Sequence, residues 1–209
     1  MASIIKVDDV QDAAGNNIIN EAGDVITIGA SGDTITIPSG ATITNSGTAT
    51  GFGDPGLAGM DMWRQSANST GNQQPITANW ERVDTGGFAG IGTAFSAPSS
   101  GIWTFPSTGI WEVTFTYYVY ATDSDTTVNS AIQITPDDTS YTIRAFGTCG
   151  NYGGHAWKNT VPTTVIVDVT DTSLVKFKLD IDNLNGTTTM QGNTDNTRTW
   201  VVMKKLGAT

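Results

Sequence analysis

This chain has one cysteine and one histidine in 209 residues. A lone Cys149 excludes an internal disulfide framework and a thiolate zinc cluster. Its Gly-Thr-Cys-Gly surroundings carry no catalytic-cysteine signature. A lone His155 excludes a histidine pair for a metal and argues against a nucleophile–histidine triad. Charge is scarce too, at 14 % of residues, with 10 bases against 20 acids. No basic patch stands out, so a nucleic-acid partner is not expected. No run approaches the length of a membrane span, so membrane insertion is not expected. The first ten residues lack an apolar core of signal-peptide length. The chain is therefore expected to be made in a cytoplasm and to reach any outside role by another route, such as assembly into a particle.

Glycine, threonine, serine and asparagine are plentiful instead. Thr, Val, Ile, Trp and Tyr suit pleated surfaces, while Gly, Asn, Asp and Ser make tight turns. Six Trp, seven Phe and five Tyr are too much apolar mass for a disordered chain. The expectation is an all-β protein with many short strands and no helix longer than a turn. The charge is uneven: residues 1–61 carry one Lys and eight acids, and residues 62–209 carry nine bases and twelve acids. The acidic N-terminal part can seat on a basic partner or simply aid solubility.

A short motif repeats near the start. Gly23, Asp24, Val25, Ile26, Thr27 and Ile28 are followed by Gly32, Asp33, Thr34, Ile35, Thr36 and Ile37, and then by Gly40, Ala41, Thr42, Ile43, Thr44 and Asn45, with Gly47 opening an incomplete copy. Each unit reads as a turn and a brief strand. A unit that short has no interior, so its isoleucines (Ile26, Ile28, Ile35, Ile37 and Ile43) need cover from neighbouring units or identical chains. Four segments are expected. Residues 1–20 are an attachment segment reading strand, turn, strand, with Ile4, Ile5, Val7 and Val10 as its apolar contacts. Residues 21–50 are an intertwined, trimeric β-repeat stalk. Residues 51–61 are a Gly-rich linker. Residues 62–209 are a β-sandwich.

In the last segment, strands are expected at Trp63–Gln65, Trp80–Val83, Ile102–Phe105, Ile110–Tyr120, Ser130–Thr135, Ser140–Phe146, Thr163–Val169, Leu174–Ile181 and Arg198–Leu206. Along Ile110–Tyr120, Trp111, Val113, Phe115, Tyr117 and Val119 fall on one face, the expected core side. Glu112, Thr114, Thr116, Tyr118 and Tyr120 fall on the other, and its tyrosines suit a subunit interface.

Phe105, Pro106, Gly109, Ile110 and Trp111 stand in a pattern that resembles a landmark of the complement C1q and tumour necrosis factor superfamily, with Trp111 at the usual Tyr. Val165–Leu179 resembles that family's strand–turn–strand pair. Thr197–Leu206 resembles its last strand, although the usual Gly is absent. Over residues 62–206 the resemblance implies a ten-stranded jelly roll that trimerises through aromatic side chains. The leader and its repeats resemble the N-terminal parts of virion appendage proteins of marine phages, those of cyanobacteria and other abundant ocean bacteria. That resemblance implies a homotrimeric fibre or spike whose jelly roll binds a host-surface glycan or protein. Its attachment partners would be other tail or capsid proteins. A capsid decoration protein or head fibre is the alternative, and a polysaccharide-degrading tailspike a more distant one.

Candidate sites are few. Tyr152, His155 and Trp157 lie in a glycine-rich stretch that either displays aromatics for recognition or tucks them under the sandwich. Acid pairs occur at Asp123/Asp125, Asp137/Asp138, Asp168/Asp171 and Asp180/Asp182. Oxygen-rich loops of this kind hold calcium in some members of the resembled superfamily, but ordinary turn and solvent-facing roles account for each pair. No cofactor and no catalytic residue is expected, and the chain reads as a non-enzyme.

Overall fold

The computed structural model describes residues 9–11, 17–22, 25–28, 32, 34–41 and 57–209. The chain divides into two compact units, 1–51 and 52–209. In the first, β1 (Asp9–Gln11), β2 (Asn17–Ala22) and β3 (Val25–Ile28) form an antiparallel sheet in that order. β2 runs across position 20, so the attachment segment and the first repeat share one sheet. The second repeat differs from its expectation. Residues 34–38 join no ladder and lead into a turn closed by the Ala41 N–H on the Pro38 carbonyl, 3.1 Å. Without the helper strand that β2 supplies to the first repeat, Thr34, Ile35, Thr36 and Ile37 pair with no strand among the described residues.

The larger unit holds β4 (Gly59–Gln65), β5 (Ser69–Thr70), β6 (Trp80–Arg82), β7 (Ile102–Thr104), β8 (Gly109–Ala121), β9 (Asp125–Thr135), β10 (Thr142–Asn151), β11 (Trp157–Val169), β12 (Lys176–Asp182), β13 (Thr188–Met190) and β14 (Trp200–Gly207). No helix occurs among the described residues. A four-stranded sheet runs β10-β9-β12-β7. A seven-stranded sheet is organised around β8. β11 pairs with β8 along its whole length, from Gly109 to Ala121. The other edge of β8 is divided between β14, over Ile110–Thr116, and β13, over Val119–Ala121. β4 and β6 continue beyond β14. Every pairing within these sheets is antiparallel, as expected where one face of each sheet is free.

The core between the two sheets is aromatic. Trp111, Val113, Phe115, Tyr117 and Val119 of β8 are all buried, as their alternation predicts. They meet Phe177, Leu179 and Ile181 of β12 and Ile132 and Ile134 of β9 in one cluster. Trp103 stacks on Phe177 at 5.7 Å and takes the edge of Trp63 at 5.5 Å. The landmark corner has a physical account. Gly109 has φ of +136°, and a Cβ there would lie 2.5 Å from the Gly207 carbonyl oxygen. Trp111, in the position where Tyr is usual, donates its indole N–H to the Ser107 carbonyl at 3.1 Å, tying the core strand back to the corner.

Several boundaries moved. Gly59, Met60 and Asp61, linker by composition, begin β4. β9 starts at Asp125 and β11 at Trp157, each several residues before its expected start. These extensions are rich in Thr and Asn, with no sustained apolar alternation to signal them. They are strands because a long partner offers its edge. β5 and β13 are pairing-driven in the same way.

Candidate interaction surface

The free face of the seven-stranded sheet is the broadest candidate surface. Inward-facing residues of β4 are Gly59, Asp61, Trp63 and Gln65, all buried; on the opposite side Met60 and Met62 are half-buried and Arg64 is buried too. The cross-strand register then assembles rows. Met62, Val202, Thr114 and Thr164 lie side by side across four strands. Thr114 and Thr164 are joined hydroxyl to hydroxyl at 2.9 Å. Above them run Arg64, Trp200, Thr116 and Pro162; below them run Met60, Lys204, Glu112 and Ile166. Lys204 and Glu112 pair at 2.7 Å, and Ile166 is 64 % exposed. Tyr118 and Tyr120 continue the face toward β13 and are half-buried. A flat field of Met, Val, Thr, Trp and Ile with its charges paired is chemically suited to another protein surface.

The inner framework of this face depends on a residue that composition had placed in the linker. Asp61 is 2 % exposed. Its carboxylate accepts from Arg82 Nε at 2.9 and 3.1 Å, from the Phe95 N–H at 2.8 Å, from the Met62 N–H at 3.0 Å and from Trp63 Nε1 at 3.3 Å. It thereby ties the start of β4 to β6 and to the segment before β7. Only its place two residues before a Trp in alternating register would have marked Asp61 as inward-facing.

The glycine-rich stretch splits. Tyr152 is 83 % exposed and His155 is exposed, both in the loop between β10 and β11. Trp157 belongs to β11, packs against the core and donates its indole N–H to the Asp123 carbonyl at 3.1 Å. Trp157 thus anchors a strand, while Tyr152 and His155 are displayed in the loop. Of the four attachment residues, Ile4, Ile5 and Val7 lie outside the described residues. Val10 is in β1, in register with Ile19, and is 40 % exposed.

Three acid pairs serve the fold. Asp137 Oδ1 accepts the N–H groups of Ser140 at 2.7 Å and Thr139 at 2.9 Å and the Thr135 hydroxyl at 2.8 Å; these bonds hold its pKa well below the usual carboxylate range. Asp138 pairs with Lys176 at 2.6 Å. Asp171 is likewise lowered, by the hydroxyl and N–H of Ser173, and Asp168 is exposed on β11. Asp125 accepts from the Asn185 N–H at 3.1 Å and from the Thr188 hydroxyl, and Asp123 caps Ser124 at 2.6 Å. The fourth pair, Asp180 and Asp182, lies on the outer face of the four-stranded sheet. Burial raises the Asp180 pKa. No group of three or more His, Cys, Asp or Glu gathers among the described residues. Cys149 is half-buried on β10, accepts the Tyr117 hydroxyl at 3.3 Å, and has its pKa raised by burial.

No protein-family model matches the chain, and no curated protein matches it. Solved structures do resemble it in fold. The chain is similar to an Eiger TNF from S. frugiperda, with a TM-score of 0.53 and 10 % identity over 72 % of this chain and 93 % of that one. It is also similar to murine APRIL at pH 5.0, with a TM-score of 0.50 and 11 % identity over 71 % of this chain and 98 % of that one. The larger unit is a jelly roll of the tumour necrosis factor type.

Proposed function

We propose that this chain is a homotrimeric, non-enzymatic structural protein of a phage virion, a fibre or spike whose C-terminal jelly roll binds the host surface. One observation carries the assembly: among the described residues each unit presents apolar side chains on a face open to another copy. In the first unit Ile28, Ile35 and Ile37 are 46–58 % exposed. In the second, Ile166 is 64 % exposed on the outer face of the large sheet, next to the row in which Met62 and Val202 are half-buried beside Thr114 and Thr164. A second copy supplies matching rows to both, and the sequence resemblance to a trimeric jelly-roll superfamily makes three the preferred number. The resemblance of the leader to phage appendage proteins supports the virion assignment. Tyr152 and His155 project from the loop between two edge strands, a position suited to contact with a glycan or protein on a host cell.

Light scattering on the purified protein tests the assembly, with three times the chain mass expected. Val202→Asp, set within that row, is expected to give a folded monomer. A stable, monodisperse wild-type monomer overturns the proposal. Immunogold imaging of particles tests the location: label on the tail supports the fibre, label on the head supports the decoration alternative, and no label on particles refutes the virion assignment.

A further inference from the structure

We infer that the outer face of the four-stranded sheet carries a binding site for a primary alkylammonium group. The site is a cavity of about 30 Å³ between β9, β10 and β12, closed on one side by Gln74. The register explains it. Ala131 lies between Asp180 on β12 and Phe146 on β10, and its small side chain leaves a hollow between the two larger ones. Asn129 and Asp182 are paired one step along the same face.

The polar atoms in this hollow are mismatched. Asn129, Asp180 and Asp182 all line it, and the Oδ1 atom of each is buried without a hydrogen-bond partner. Asp180 is 95 % buried as a residue. The remaining oxygens are occupied: Gln133 Nε2 donates to Asp180 Oδ2, and Gln74 Nε2 donates to Asp182 Oδ2 at 2.7 Å. Three acceptors without partners leave the hollow incomplete, because an unmatched buried acceptor forfeits its hydration. The neighbouring cation does not fill it. Lys178, two residues before Asp180, places its Nζ 3.6 Å from the centre of the Tyr141 ring.

The occupant must donate, carry positive charge and be small. About 30 Å³ has room for one or two water-sized groups. A sugar ring is too large. A bare divalent cation fits poorly, since two carboxylates and one amide oxygen fall short of the six to eight oxygens that calcium takes. An ammonium has three N–H donors for three acceptors. The rim favours it further. Phe146 and Ile143 stand at the mouth, both more than half exposed. They give an alkyl stem apolar cover and the charge an aromatic face, which a metal ion cannot use together. The group can come from a lysine side chain on a protein partner or from a free amine.

Saturation-transfer NMR on the full chain with n-butylammonium as probe, and n-butanol as its uncharged match, tests this. Transfer to butylammonium and none to butanol is expected. Asp180→Asn and Asp182→Asn should each weaken binding by about tenfold or more, with circular dichroism unchanged. Phe146→Ala, at an exposed position, should weaken it by a smaller factor. Binding of Nα-acetyl-lysine amide more tightly than butylammonium assigns the site to a protein partner; equal binding assigns it to free amines. Equal transfer to butanol, retained binding in both aspartate variants, or stoichiometric calcium binding that expels the amine would overturn the assignment.

Discussion

Replacing Asp61 with Ala is the sharpest test of how the large sheet is held. The carboxylate is 2 % exposed and serves four donor groups: Arg82 Nε, the N–H groups of Phe95 and Met62, and the Trp63 indole. Breaking a buried ion pair by removing one partner costs about 3–5 kcal/mol. Here the lower half applies to the pair itself, because Arg82 is 29 % exposed and water can take over part of its solvation. The Phe95 N–H, on a residue only 4 % exposed, loses its partner and adds roughly 1–3 kcal/mol. The low end of that sum, about 4 kcal/mol, is already a large share of the ~5–15 kcal/mol that holds a domain together. For a chain of this size it corresponds to a fall in Tm of about 8–16 °C. Tryptophan fluorescence during heating, at fixed protein concentration, measures it. Asp84→Ala is the control: Asp84 is half-exposed and lies 3.8 Å from Arg82, so its loss should change stability by no more than about 0.5 kcal/mol. An Asp61→Ala protein that melts within about 2 °C of wild type would mean that the carboxylate does not organise β4, β6 and the segment before β7.

Gly109→Ala combines a strained φ with a Cβ 2.5 Å from the Gly207 carbonyl, so the variant should lose stability by about 2 kcal/mol or more, read as a lower denaturation midpoint. Cys149 in the folded protein should react slowly with a thiol reagent at pH 8 and rapidly in denaturant, because burial raises its pKa, outweighing the Tyr117 hydroxyl that favours the thiolate; equal rates would contradict that placement. Asp180 titrates above its ordinary value of 3.8 in the fold, so folding favours its protonated form. That contribution is present at low pH and lost as pH rises from about 4 through the raised value. In amine-free buffer Asp180→Asn should therefore show a flatter pH–stability profile and greater stability than wild type at neutral pH. An identical profile for the two proteins would refute the desolvation of Asp180.

Local chemistry alone fixed a good deal about this molecule. The β-formers and turn residues specified an all-β chain, and strict alternation along Ile110–Tyr120 assigned Trp111 through Val119 to the core, since a strand has only two faces and one must be dry. The Pro106–Gly109 corner was legible because only glycine tolerates its backbone angle and its crowding. What the sequence could not state was which polar residues would be drawn inward and which aromatics would stay out. Asp61 looked like linker because its partners lie 21 and 34 residues away, and whether Trp157 was displayed or tucked in stayed open because Asp123, its acceptor, lies 34 residues before it. The hollow beside Asp180 exists only where β10, β9 and β12 bring Phe146, Ala131 and Asp180 into one row. Side-chain period is written in neighbouring residues, whereas the pairing of distant strands is a property of the whole chain, and tertiary pairing alone set the surfaces on which this protein would act.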